Sequence, residues 1–209
     1  MELFLYLFAA LFSVINPLAT LPIFVSLTSE DVPVIRRKTA LMTAINVAII
    51  LLVSYFVGQY VLTFFGISID SLKIAGGLII TSSGFALLTG KFAEHKGLNK
   101  RARTSVRTRN DISFTPLAMP ILAGPGSMSL LISANQKYQE PNEMLIAIIA
   151  ILTICLVIFL MLRSAQYIIV GLGNSGINAI SRIIGFVVIA IGIEYITAAI
   201  VNLINGIPN

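Results

Sequence analysis

Residues 17–22 read PLATLP and residues 116–120 read PLAMP, and each string lies near the middle of an otherwise apolar stretch. Five of the eight prolines of the chain lie in or shortly after these strings: Pro17, Pro22, Pro116, Pro120 and Pro125. Helix-breaking residues at corresponding positions in the two halves of a membrane chain are typical of a transporter binding site. The two strings therefore predict a pair of broken membrane helices.

The composition around these strings is that of an integral membrane protein. Hydrophobic residues make up 57% of the 209 positions and charged residues 11%. A soluble domain has about 45–50% apolar and about 25% charged residues. We expect one membrane domain over residues 1–209, with no separate soluble domain.

Apolar runs long enough to cross a bilayer occur at six places, which predicts an all-α polytopic fold. The runs are Leu3–Phe24, Leu41–Phe65, Leu72–Leu88, Phe114–Ile132, Met144–Leu162 and Ile183–Ile204. The third and fourth are short or interrupted.

Basic residues alternate between the connections of these spans. Twelve of the fourteen lysines and arginines lie in connections 28–39, 91–112 and 163–182, and only Lys73 and Lys137 lie on the other side. The positive-inside rule then puts the odd-numbered connections in the cytoplasm and both termini outside. Topology thus accounts for the net charge of +5, and we expect a lipid bilayer and no nucleic acid as partner.

The chain also reads as two copies of three spans. Pro17 matches Pro116 at an offset of 99, Pro22 matches Pro120 at 98, and residues 73–76 match residues 182–185 at 109. Three spans per copy is an odd number, so the second copy enters the membrane from the opposite side. We expect an inverted 3+3 repeat with discontinuous first and fourth helices: repeats over 1–90 and 113–209, joined by a basic cytoplasmic loop at 91–112.

Broken helices expose backbone groups. A proline gives no N–H to the carbonyl four residues earlier, which frees the carbonyls of Ser13, Leu18, Pro116 and Ile121. In hydrocarbon such a carbonyl needs a partner from protein, water or a ligand. The alternative is that the prolines only kink the helices and neighbouring helices satisfy the carbonyls.

The fourth span continues as Gly-Pro-Gly-Ser-Met-Ser at residues 124–129. Its glycines permit close backbone approach, and Ser127 or Ser129 could cap a new half-helix whose N–H groups face an anion. Asn16 and Thr20 offer polar side chains at the first break.

Free carbonyls suit an ammonium group and free amides suit a carboxylate, so the two breaks together suit a small zwitterion. We expect an amino-acid site at the membrane midplane. The candidate residues are Asn16, Pro17, Thr20, Pro22, Pro120, Gly124, Pro125, Gly126, Ser127 and Ser129.

Glu194 is the one carboxylate well inside a span, and ionisable residues there are functional candidates. It is a candidate for carrying a coupling proton; the alternative is a neutral acid or a snorkelling group close to the outer leaflet, hydrogen-bonded to Thr197 or to another span. We expect no cofactor, no metal and no enzymatic activity. Ser127 lies in a faint nucleophile-like string, but the only histidine is His95, in a loop.

The strings FAALFSVINPLATLPIFVSLT (Phe8–Thr28) and PLAMPILAGPGSMS (Pro116–Ser129) resemble the MarC family of bacterial and archaeal inner-membrane proteins. This family is also called the small neutral amino acid transporter family. The resemblance covers essentially the whole chain. It implies a plasma-membrane protein with paired discontinuous helices and, as in some members, transport of glycine, alanine and similar amino acids. It also leads us to expect an amide where Glu194 stands.

The sequence therefore predicts a secondary transporter of small neutral amino acids that works by alternating access. Coupling to protons or sodium and assembly into a homo-oligomer remain open. A membrane channel, or a structural membrane protein without transport, is the alternative.

Overall fold

The structure is a computed structural model that describes residues 2–28, 31–90 and 112–205. These residues form seven α-helices and one segment of wider turns, here called the π segment. In chain order they are α1 (Glu2–Ile15), α2 (Pro17–Leu27), α3 (Pro33–Phe64), α4 (Ile69–Leu88), the π segment (Ser113–Leu122), α5 (Pro125–Lys137), α6 (Pro141–Arg163) and α7 (Ala165–Asn205). The predicted basic loop at 91–112 lies outside the described residues except for Ile112.

Four helical stretches are long and apolar enough to cross a membrane by themselves: α3, α4, α6 and residues 175–205 of α7. Two further pairs pass the same test together but are bent at a break. The pair α1 and α2 is bent by 42°, and the π segment and α5 by 64°. Counted as one span each, they are the first and fourth of the six predicted spans.

Helix α7 begins earlier than the sequence predicted. Residues 163–182 were expected to form a connection, but α7 starts at Ala165 and only changes direction at Gly173, where φ is 66°. The helix is interrupted only at Gly173, and two helical stretches meet there. Glycine adopts this backbone conformation without steric cost, so one residue can redirect the chain between two helical stretches.

Local sequence explains where several helices begin. Pro33 and Pro141 occupy the first turn of α3 and α6, where a missing N–H costs nothing. Glu140 and Glu143 form a capping box at the start of α6. At α4, the Ser68 hydroxyl accepts a hydrogen bond from the Ser71 amide at 3.1 Å.

The main apolar core draws buried residues from α1, α2, α3, the π segment, α5 and α6, with Phe24 and Tyr55 among its largest side chains. Other large apolar side chains point outward. Phe64 and Val170, for example, are 81% and 85% exposed. Such exposure is normal where the surrounding solvent is lipid.

Helices α4 and α7 cross at four glycines. An ideal Cβ built on Gly77 would lie 2.6 Å from the Gly192 carbonyl oxygen, and one on Gly84 would lie 2.8 Å from the Gly185 carbonyl oxygen. As residue numbers rise along α4 they fall along α7, so the two helices are antiparallel. Close contact through small residues is typical of membrane helix pairs, since it brings the two backbones together.

Landmark residues of the two halves recur at a constant spacing. Pro17 and Pro125 begin α2 and α5, and Pro33 and Pro141 begin α3 and α6. Both differences, 125 minus 17 and 141 minus 33, are 108. The glycines of the helix crossing keep this spacing, from 77 to 185 and from 84 to 192. A shift of 108 positions therefore relates the contact between Gly77 and Gly192 to the contact between Gly84 and Gly185.

The predicted pairing of Pro17 with Pro116 is wrong. Pro17 is the first residue after the first break, whereas Pro116 and Pro120 lie before the second break, which Pro125 follows. Pro22, inside α2, therefore has no counterpart in Pro120. The pairing was based on the similarity of the two sequence strings. The position of each break depends instead on which residue starts the next helix.

The offset of 109 between residues 73–76 and 182–185 differs by one position from the spacing of 108 that the helix starts and the crossing glycines share. It paired Gly76 with Gly185, but Gly76 contacts Ser129 of α5, whereas Gly185 contacts α4 at Gly84 and Leu87. One position along a helix turns a side chain by about 100°, so the two registers assign the glycines to different neighbours.

Candidate functional site at the two helix breaks

The first break lies at Asn16, between α1 and α2. Its backbone is left-handed, with φ 44° and ψ 69°, a conformation that asparagine tolerates better than most residues. Its amide still donates to the Phe12 carbonyl at 2.9 Å, and its side-chain Oδ1 accepts from the Ala19 amide at 3.3 Å. Asn16 therefore ends one helix and caps the next, and Pro17, which has no N–H, cannot bond to the Ser13 carbonyl.

The second break follows the π segment. Thr115 and Met119 have extended backbones, as residues before proline prefer. The Ala123 amide donates a hydrogen bond to the Ala118 carbonyl, five residues earlier, with an N···O distance of 2.7 Å. Gly124 is the N-cap of α5 and has no side chain to offer. The backbone is thus non-helical twice before the break and resumes as a regular helix after it.

The two serines after the second break do not cap α5 as the sequence predicted. The Ser127 hydroxyl donates to the Gly124 carbonyl at 2.9 Å, and the Ser129 hydroxyl donates to the Leu72 carbonyl of α4 at 3.2 Å. No side chain caps α5, whose N-cap is Gly124, so neither hydroxyl accepts from the amides of the first turn. The first intrahelical bond of α5 comes from the Met128 amide, so the amides of Gly126 and Ser127 have no partner within the helix.

The fold places the two breaks side by side. A Cβ on Gly126 would lie 3.4 Å from Val14 Cγ1, two residues before Asn16, and 2.9 Å from Ile80 Cγ1 of α4. Gly126 is therefore the point at which α5 packs against both α1 and α4. Only a residue without a side chain fits there without displacing its neighbours.

Two polar atoms at the first break are buried without a hydrogen-bond partner in the described part of the chain. They are the side-chain nitrogen Nδ2 of Asn16 and the hydroxyl oxygen Oγ1 of Thr20. Both residues are 0% exposed, and they lie four positions apart, on one face at the start of α2. Leaving such groups unsatisfied costs about 1–3 kcal/mol each.

The remaining candidate residues separate into two groups. Pro17, Gly124 and Gly126 are buried at the breaks. Pro120 and Pro125 are exposed at the surface, so the structure does not bring them into the buried region between the breaks. Pro22 lines a different cavity of about 130 Å³, between α2, the end of α4 and α7.

Glu194 lies in a cavity of about 410 Å³ between α1 and α7, which reaches Ser13, three residues before the first break. Its lining also includes Tyr6 and Tyr195, which the sequence did not single out. A tyrosine within each of two apolar runs was the available signal. The Thr197 hydroxyl donates to the Ile193 carbonyl at 2.9 Å, so the predicted bond between Thr197 and Glu194 is not formed.

The chain matches the family described as MarC family integral membrane protein over residues 1–204. It is 37% identical over 202 residues to the UPF0056 membrane protein YhcE of Escherichia coli K12, covering 97% of this chain and 94% of that protein. It is 32% identical over 198 residues to the UPF0056 inner membrane protein MarC of Salmonella typhimurium, covering 90% of each. No solved structure matches it significantly.

Proposed function

We propose that this chain, which belongs to the MarC family of integral membrane proteins, is a secondary transporter of small neutral amino acids. Substrate binds between the breaks at Asn16 and Gly124. The observation that carries the proposal is the pair of buried, unpartnered polar atoms on Asn16 and Thr20, next to two adjacent breaks. The Asn16 Oδ1 caps α2, but the Thr20 hydroxyl has no such role, and a protein that needed these breaks only for shape would gain stability from an apolar residue at position 20.

The chemistry at the breaks suits a zwitterion. The Ser13 carbonyl has no helical donor, because Pro17 has no N–H. This carbonyl and the Thr20 hydroxyl can accept hydrogen bonds from an ammonium group. The Asn16 Nδ2 and the free amides of Gly126 and Ser127 can donate to a carboxylate, which the helix dipole of α5 also favours. The close packing of Gly126 against Val14 and Ile80 leaves little space between the breaks, so we expect only a small substrate there.

An inverted repeat is the second part of the proposal. The constant spacing of 108 and the exchange of glycine contacts between α4 and α7 support two halves related by a pseudo-two-fold axis through that crossing. Each half contributes one broken span to the site. Alternating access then consists of one half rocking against the other, which exposes the breaks to each side in turn.

The third part concerns location and orientation. The inner membrane is named in the description of the Salmonella relative, and the distribution of basic residues favours both termini outside. Coupling to a proton, for which Glu194 is the candidate, or to sodium remains a prediction, as does assembly into a homo-oligomer.

The direct test is uptake of labelled glycine and alanine into proteoliposomes that contain the purified protein. We expect saturable uptake, with competition between the two amino acids. Absence of saturable, protein-dependent flux of any small neutral amino acid would contradict the proposal, and non-saturable flux would indicate a channel.

A pair of substitutions at Asn16 separates binding from folding. Asn16→Gly keeps the left-handed backbone and costs only a few tenths of a kcal/mol as a cap, so the variant should melt like the wild type yet lose at least about tenfold in uptake, or about 1.4 kcal/mol. Asn16→Ala should lose uptake and stability together, because alanine neither caps nor tolerates this backbone. Normal uptake by Asn16→Gly would remove the carboxamide from the site.

A further inference from the structure

The cavity between α1 and α7 holds an unpaired carboxylate. Glu194 is exposed on the protein surface within this cavity and forms no ion pair and no hydrogen bond with the described residues. Most of the lining is apolar: Ala9, Ala10, Val187, Ala190 and Ile191, with Tyr6, Ser13 and Tyr195 as further polar members. A bare carboxylate in contact with hydrocarbon is costly, so a positive partner would stabilise it.

The protein itself does not supply that partner from the described residues. On the side of the membrane that carries the N terminus, the sequence has only two basic side chains, Lys73 and Lys137. The Lys73 Nζ lies 3.9 Å from the Asp70 Oδ1 on α4. The Lys137 Nζ lies over the Tyr138 ring, 5.2 Å from the ring centroid. Neither lysine forms an ion pair with Glu194 among the described residues, so Glu194 is available to a cation from outside the chain.

We propose that this cavity binds a water-soluble organic cation with a primary ammonium group and a short apolar body. Glu194 pairs with the ammonium group, and the alanine, valine and isoleucine side chains contact the apolar body. The cavity extends along α1 from Tyr6 to Ser13, which is about 10 Å at the rise of an α-helix. None of its lining residues is cationic and Glu194 would repel a carboxylate, so this cavity differs from the zwitterion site at the breaks.

Tyr6, which lines the cavity together with Glu194, is four residues after Glu2, the first residue of α1. The cavity therefore opens near one end of the first span, and a lipid amine is the competing occupant that the experiment has to distinguish from a water-soluble amine.

The test is equilibrium dialysis of labelled n-hexylamine against the protein in phosphatidylcholine nanodiscs, with empty nanodiscs and hexan-1-ol as references. We expect saturable binding of the amine above both references. Glu194→Gln should weaken it at least tenfold, whereas Glu2→Gln, which removes an exposed carboxylate from the first turn of α1, should not change it. Ala190→Phe, which fills the cavity, should weaken it while Glu194 is retained.

Three results would overturn the proposal. The first is equal binding to wild type and Glu194→Gln. The second is that the wild-type protein binds hexylamine no more strongly than hexan-1-ol. This comparison uses the wild-type protein alone and does not depend on the folding of a variant. The third is loss of hexylamine binding when phosphatidylethanolamine replaces phosphatidylcholine, because a lipid amine would then be the occupant.

Discussion

Replacing Gly84 with alanine should force α4 and α7 apart and destabilise the protein. The added Cβ would lie 2.8 Å from the Gly185 carbonyl oxygen and 2.9 Å from the Ile189 amide nitrogen, whereas ordinary contact begins at 3.4 Å. Both obstacles are backbone atoms, so no side-chain rotation relieves them. The helices would have to separate by about 0.6 Å, and overpacking of this kind costs about 1–3 kcal/mol.

The assay is the melting temperature of purified protein, followed by size-exclusion chromatography after heating. For a chain of this length 1 kcal/mol corresponds to about 2–4 °C, so the loss should be about 2–12 °C. Gly171→Ala is the matched control, because Gly171 lies in α7 with nothing within 4 Å of the added Cβ. That variant should be unchanged or gain about 0.5–1 kcal/mol from better helix propensity.

The reciprocal substitution Gly192→Ala should be as costly as Gly84→Ala. Its Cβ would lie 2.7 Å from the Gly77 carbonyl oxygen and 2.8 Å from the Thr81 amide nitrogen. If Gly84→Ala melted at or above the temperature of Gly171→Ala, the two backbones would not be in close contact, and the proposed axis between the repeats would lose its support.

Two further substitutions test the polar groups. Thr20→Val removes an unpartnered buried hydroxyl. It should raise the free energy of unfolding by about 1 kcal/mol, while uptake falls at least about tenfold. A lower melting temperature would show that the hydroxyl is already hydrogen-bonded. Its control, Thr153→Val, removes a hydroxyl bonded to the Ile149 carbonyl at 2.7 Å outside the site, and should transport normally. Glu194→Gln should make uptake independent of an imposed proton gradient, and Glu2→Gln should not; unchanged gradient dependence in Glu194→Gln would remove Glu194 from coupling.

The sequence was sufficient to locate the membrane spans, because hydrophobic runs and the two breaks are local properties. It also singled out Asn16 and Thr20 as polar residues near prolines, and the structure places both in buried positions at the first break. It was wrong about the role of Ser127 and Ser129, whose hydroxyls donate to backbone carbonyls. Ser129 bonds to α4, which no local pattern could reveal, since the partner lies 57 positions away.

By itself the sequence determined that this is an all-helical membrane protein with two interrupted spans. Apolar content, charge distribution and proline chemistry act within one or two helical turns. The tertiary structure alone showed the close crossing of α4 and α7, because the role of Gly77 and Gly84 depends on the backbone atoms of α7 that lie against them. It also showed that Gly126 touches the first span near its break, and that Glu194 lines a separate cavity. These relations depend on how distant helices pack, and a linear pattern of residue types does not encode which faces meet.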